Sequence, residues 1–257
     1  MHPPKIVTTS WDDGDPRDLR IAELLRARRI KGTFYIPLLG YDGLATLDPA
    51  GLRSLDSEGF EIGAHGLSHH TLPKFRGKEL AREVSLPKRR LEDLLGREVS
   101  MFAYPKGRYS ANVIRQLKLA GYEGARTTEM LGYRLDFRPF EMSTTIHAYP
   151  HSNSSYLRNV TRAFNFGRGL HWLARFHGSH TWVELGKQFF DLVLKDGGVW
   201  HLYGHSWAID NENLWNDLTE LLDYVAERKD VLYKANKEVL KFLPISASAV
   251  MAKQPDF

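Results

Sequence analysis

The sequence predicts an α/β fold, a distorted (β/α) barrel of seven or eight mainly parallel strands. Short apolar runs alternate with stretches of helical periodicity, which is the pattern of successive βα units. The alternation is regular through the first five strands, with glycines marking the helix ends. No internal repeat, low-complexity tract or linker divides the chain, so all 257 residues are expected to form a single domain, 1–257.

A first strand is expected at Ile6–Trp11, followed by a turn at Asp12–Pro16. The next helix spans Pro16 to about Arg29, with Asp15 as N-cap, Pro16 in its first turn and Leu19, Ala22, Leu25 and Ala27 near one face. Gly32–Ile36 reads as the second strand. Asp48 and Pro49 open a short helix that stops at Gly59, and Phe60–Ala64 is a third strand. A longer helix runs from Lys78 to Leu95 and ends at Gly96, with Pro87 predicting a kink or break.

Val99–Ala103, the helix Ser110–Ala120 and Tyr122–Thr127 continue the rhythm. From Leu131 to Ser155 it fails, and one strand is placed around Ser143–His147. Helical patterns follow at Tyr156–Phe164 and Thr181–Lys195, the second closed by Asp196, Gly197 and Gly198. Val199–His205 is a strand whose alternation puts Val199, His201, Tyr203 and His205 on one face. A helix at Glu212–Arg228, a strand at Val231–Lys234 and a short last helix complete the reading.

Composition bounds the function. Apolar residues make up 42% and charged residues 26%, ordinary values for a globular chain. A net charge of +4 is too weak and too dispersed for a nucleic-acid surface, and the basic stretch Arg26–Arg29 with Lys31 reads as a solvated helix end. With no cysteine, disulfides, thiolate metal sites and cysteine nucleophiles are excluded, so any metal must be held by nitrogen and oxygen. Residues 1–7 lack the apolar segment of a leader, and nothing approaches the ~20 apolar residues that span a bilayer. The expectation is a cytoplasmic protein without membrane insertion.

The chemistry gathers just after strands, where a barrel places its mouth. Asp12 and Asp13 are adjacent carboxylates in a turn closed by Gly14, and they repel unless a positive charge lies beside them. His65 and His69 follow the third strand four residues apart, a spacing that lets both imidazoles face one cation. Two histidines with one carboxylate make a ligand set that leaves positions open for water and substrate. Spacing alone does not say which aspartate ligates.

Thr9–Gly14, with Trp11-Asp12-Asp13-Gly14, resembles the first motif of the polysaccharide deacetylase (NodB-like) family, carbohydrate esterase family four. Glu61–His69 is similar to its second motif, with Gly66 where serine or threonine is usual, and Phe102–Gly107 to its third. The likeness covers about the first half of the chain. It implies a distorted barrel with a divalent metal, often zinc, held by Asp13, His65 and His69. It further implies Asp12 as catalytic base and the backbone N–H of Lys106, in the Tyr104–Lys106 loop, as oxyanion donor.

At position 103 the family has an arginine that supports the base; here it is Ala103. The family's last motif, a strand ending in a histidine that acts as general acid, fits Val199–His205 with His205 as the acid and Tyr203 in the substrate pocket. His201 is the alternative on the same strand face. For the residue that orients the acid, Asp136, Glu141 and Asp210 are the candidates. His147 and His151 could line the mouth, and Trp172, Trp182, Trp200, Trp207 and Trp215 could stack on sugars or fill the core. The sequons at Asn153 and Asn159 matter only in a secreted glycoprotein.

The implied activity is hydrolysis of an N-acetyl or other acyl group from an amino sugar or polysaccharide. Two other readings share the scaffold. One is a deformylase or a cyclic imide or ureide amidohydrolase; the other is a sugar-binding barrel with impaired catalysis.

Overall fold

The computed structural model describes residues 3–41, 45–152 and 181–244. Eight strands form one sheet in the order β5-β4-β3-β2-β1-β7-β6, with β8 also on β1. They are β1 (Lys5–Asp12), β2 (Gly32–Ile36), β3 (Glu61–Ala64), β4 (Met101–Ala103), β5 (Gly124–Arg126), β6 (Ile146–His147), β7 (Gly198–Gly204) and β8 (Leu232–Tyr233). Every pairing between them is parallel. The segment after β5 bends the sheet into a ring: Met142 bridges Arg126 in parallel, and Ile146 pairs with Leu202 of β7. A distorted (β/α) barrel is therefore the architecture.

Around the sheet lie α1 (Asp18–Ala27), α2 (Pro49–Ser57), α3 (Gly77–Leu95), α4 (Ala111–Leu119), α5 (Trp182–Asp196), α6 (Ser206–Asn211), α7 (Trp215–Val225) and α8 (Asn236–Val239). Both faces of β1 are buried, as crossover helices require. Val7 and Trp11 join the main apolar core, whereas Thr8, Ser10 and Asp12 meet Asn236, His201 and Arg126. That face of β1 is thus polar toward its C-terminal end, while Ile6 at the other end packs with Val199 and Met142 in a second apolar cluster. Gly63, paired with Tyr35 across β2 and β3, leaves room for that ring, since a Cβ at position 63 would lie 2.4 Å from it.

Several expected boundaries shift. Helix α1 starts at Asp18 with Arg17 as N-cap, while Asp15 binds the Arg17 N–H through its side chain. Ile21, Ala22 and Leu25 form its buried face; Leu19 and Ala27 are exposed. Asp48 caps α2 as expected, accepting from Gly51 N at 2.7 Å, worth about 1 kcal/mol. Helix α3 runs through a buried Pro87 without a break, held by a face that buries Leu80, Val84 and Leu91.

The helix expected at Glu212–Arg228 shortens to α7, and an unexpected short helix, α6, precedes it, with Asn213 at a left-handed φ of 54° between them. Asp210 braces this corner by accepting from Trp215 and pairing with Arg17. The strand expected at Ser143–His147 shortens to Ile146–His147. The helical pattern at Tyr156–Phe164, Trp172 and the two sequons lie outside the described residues. Among the described residues no helix is long and apolar enough to cross a membrane.

Candidate active site

Because all strands run parallel, their C-terminal ends open at one mouth, and the site is assembled there. β1 delivers Asp12 and Asp13, the loop after β3 delivers His65 and His69, β5 delivers Arg126, and the end of β7 delivers Tyr203 and His205. Single ligand atoms of Asp13, His65 and His69 all lie within 4.8 Å of one another, and all three residues are buried. His69 Nε2 is 3.3 Å from Asp13 Oδ1 and 3.2 Å from His65 Nε2; His65 Nε2 is 3.7 Å from the same oxygen.

Asp13 Oδ1 is buried and has no hydrogen-bond partner among the described residues. Burial, then the neighbouring Asp12 charge, raises the Asp13 carboxyl to about 7. An ionised oxygen left so is costly, and a cation between it and the two imidazoles would remove the cost. The donor set of one carboxylate and two imidazoles fits a divalent metal such as zinc. His65 is prepared for that role, because its Nδ1 lies 2.9 Å from the Ala103 carbonyl and burial lowers the ring to about 3. With the proton on Nδ1, the Nε2 lone pair faces the site.

Backbone strain is present at the same place. Asp13, His69 and Lys106 have φ values of 77°, 53° and 57°, in the left-handed region that non-glycine residues avoid. Lys106 is exposed at the turn after β4, with Gly107 N donating to Tyr104 O at 2.8 Å.

The polysaccharide deacetylase profile matches residues 1–125. Over those residues, just under half of the chain, the sequence is similar to the polysaccharide deacetylase family. No curated protein matches the sequence. A Mycobacterium smegmatis protein described as a polysaccharide deacetylase superposes with a TM-score of 0.66 at 16% identity, covering 95% of each chain. A family 4 carbohydrate esterase from Bacillus anthracis gives 0.55 at 15% identity, over 93% of this chain and 84% of that one. A family 4 pseudoenzyme from the same bacterium gives 0.56 at 14%, over 95% and 68%. At these identities the likeness is one of fold.

The departures from the family's motifs have local explanations. Gly66 has a φ of 81°, and a Cβ there would sit 3.2 Å from Pro105 Cγ, so the turn between the histidines favours glycine. At Ala103 no cation is present, but β4 and β5 set Ala103 in register with Arg126. Arg126 is fully buried and forms an ion pair with Asp12 Oδ1, while Asp12 Oδ2 faces His65 Nε2 at 3.4 Å. The base candidate therefore does carry an arginine partner, supplied from the adjacent strand.

On the other side of the mouth, His205 Nε2 lies 3.6 Å from Asp13 Oδ2 and 3.1 Å from the Tyr203 hydroxyl. Burial lowers His205 to about 4, with the Asp12 charge opposing that fall. None of Asp136, Glu141 and Asp210 is seen to hold this ring; Asp210 is engaged with Arg17 and Trp215, and Tyr203 occupies the place instead. His201, the alternative acid, lies deeper, with Nε2 on Ser10 Oγ at 2.8 Å and Nδ1 on Ser143 O at 3.0 Å. Both of its nitrogens are structural. Tyr104 is buried with its hydroxyl donating to Phe140 O, so its side chain braces the barrel wall.

Other residues at the mouth carried no motif. Trp207 donates its indole N–H to Asp13 Oδ2 at 3.0 Å, and its ring stacks with Tyr41. Glu83 on α3 accepts from Ser68 Oγ at 2.8 Å and pins the loop between the two histidines. His147 and His151 form a bonded imidazole pair at 2.9 Å against the Tyr149 and Tyr203 rings. Trp182, Trp200 and Trp215 are buried in the core, not at the mouth.

Proposed function

We propose that this protein is a metal-dependent hydrolase that removes the N-acetyl group from an amino sugar or polysaccharide. The observation that carries the reading is the unpartnered, buried Asp13 Oδ1 facing two imidazole nitrogens. Asp13, His65 and His69 would hold a divalent cation, with zinc suited to the nitrogen and oxygen donors. Such a cation supplies an acidified water and polarises the acyl oxygen.

The chain's own groups complete the chemistry. Asp12, tethered through Oδ1 to Arg126, keeps Oδ2 toward the cation position and accepts the proton of the attacking water. As the C–O bond forms, the Lys106 N–H donates to the acyl oxygen; Pro105 beside it has no N–H to give. His205 is the last donor to the amine nitrogen as the C–N bond breaks. Its low affinity for a proton makes it neutral at rest near pH 7 rather than charged in advance. Proton balance then closes with one proton: the one water leaves on Asp12 is the one that reaches the amine through His205. Carboxylic acid and free amine leave.

Tyr41, Tyr149 and Trp207 rim the mouth with aromatic faces suited to a sugar ring. The Arg126 partner of Asp12 argues against a barrel impaired by the loss of arginine at position 103. Zinc-loaded protein is expected to release acetate from N-acetylated chito-oligosaccharides faster than formate from an N-formyl sugar and without opening a cyclic ureide. Replacing His205 by alanine should lower kcat by about 100-fold or more with zinc still bound. Preference for the formyl or ureide substrate would replace the deacetylase reading, and full activity of H205A would remove His205 from its role.

A further inference from the structure

Arg126 is fully buried at the end of β5, and its guanidinium touches both sides of the mouth. One nitrogen pairs with Asp12 Oδ1. The guanidinium carbon also lies 4.4 Å from the centre of the Tyr203 ring and 5.1 Å from that of Tyr35. The Tyr203 hydroxyl in turn meets His205 Nε2. Arg126 Nε has no hydrogen-bond partner among the described residues. A buried cation with one carboxylate and an unfilled donor is a poor stabilising device, since its desolvation exceeds what a single pair returns.

We propose that Arg126 is a positioning residue for both proton-handling arms of the site. It fixes Asp12 with Oδ2 toward the cation position, and it holds the Tyr203 ring so that the hydroxyl stays on His205. Ala103 is the space this requires. The two residues face each other across the β4–β5 pairing, so an arginine can enter the same volume from either strand. The sequence offers no motif for it, because the pair with Asp12 spans 114 positions. The inference rests on the deacetylase reading for its kinetic consequence, though its geometric half stands without it.

The test compares wild type, R126M, R126K, R126A and the relocated pair A103R/R126A, using acetate release from triacetylchitotriose and the imidazole NMR signals of the metal-free proteins. R126M should lower kcat by about 100-fold with KM changed less than about threefold and zinc stoichiometry kept, the signature of a lost transition-state contribution. R126K should recover about tenfold, since a point charge replaces the charge but not the planar fork. A folded A103R/R126A should exceed R126A. In R126M the His205 signal should move while that of the exposed His70, which meets Ser68 Oγ, stays.

R126M with kcat within about threefold of wild type, or a loss carried by KM, overturns the proposal. So does a folded relocated pair no better than R126A. If R126M does not fold, R126K equal to wild type in both kcat and the His205 signal overturns it. An inactive wild type sinks the deacetylase reading instead, and an unmoved His205 signal in R126M then still overturns the positioning claim.

Discussion

Nε2 of His65 lies 3.2 Å from Nε2 of His69, while Nδ1 of His65 meets the carbonyl of Ala103. A carbonyl only accepts, so the His65 proton sits on Nδ1 and its other nitrogen presents a lone pair to the mouth. Asp13 Oδ1 completes the group at 3.3 Å from His69 Nε2. These three potential ligands are held together by the loop after β3, the end of β4 and the turn after β1.

Cation binding should release a proton below neutrality. Asp13 is raised to about 7 by burial and by Asp12, and a ligand must be ionised to bind. Affinity should therefore rise with pH up to about 7. Titration calorimetry with zinc at pH 6, in buffers of different ionisation enthalpy, should show nearly one proton released. Equal heats in the two buffers would contradict this.

Glu83 should matter to the metal without touching it. Its carboxylate accepts from Ser68 Oγ and lies 3.4 Å from Ser68 N, within the turn that carries His65 and His69. Replacing it by alanine should weaken zinc affinity about 10-fold or more, as loss of outer-shell partners does. Competition with a chromogenic chelator measures the change; unaltered affinity would make Glu83 a purely structural brace.

His201 should give the fold an acid-sensitive component. Burial, then the Arg126 charge, lowers it to about 3, so the native state keeps it neutral. The unfolded chain binds the proton first, below its ordinary value of about 6.5. Its contribution is thus complete above about pH 6.5 and is lost as pH falls toward 3, at about 1.4 kcal/mol per pH unit. Denaturation of H201Q against wild type between pH 4 and 7 should show a shallower slope by about one proton. Parallel slopes would contradict the assignment.

The motifs that were legible in the sequence are the local ones. Asp12 and Asp13 are adjacent, and His65 and His69 share one turn, so spacing and strand placement sufficed to bring them together. Arg126, Trp207 and Glu83 reach the site through register and packing, and nothing near them in sequence marks the contact. The strand pattern of the first five βα units was legible for the same local reason. Where closure depends on single bridges, as at Met142, or on a left-handed residue such as Asn213, the periodicity is too short to read.

The most direct test of the account is the structure of zinc-soaked protein with anomalous scattering measured at the zinc edge. One ion is expected, with Asp13 Oδ1, His65 Nε2 and His69 Nε2 at about 2.0–2.2 Å and an open position toward Asp12 Oδ2 and His205. An ion bound elsewhere, or a peak that leaves either histidine uncoordinated, would contradict it.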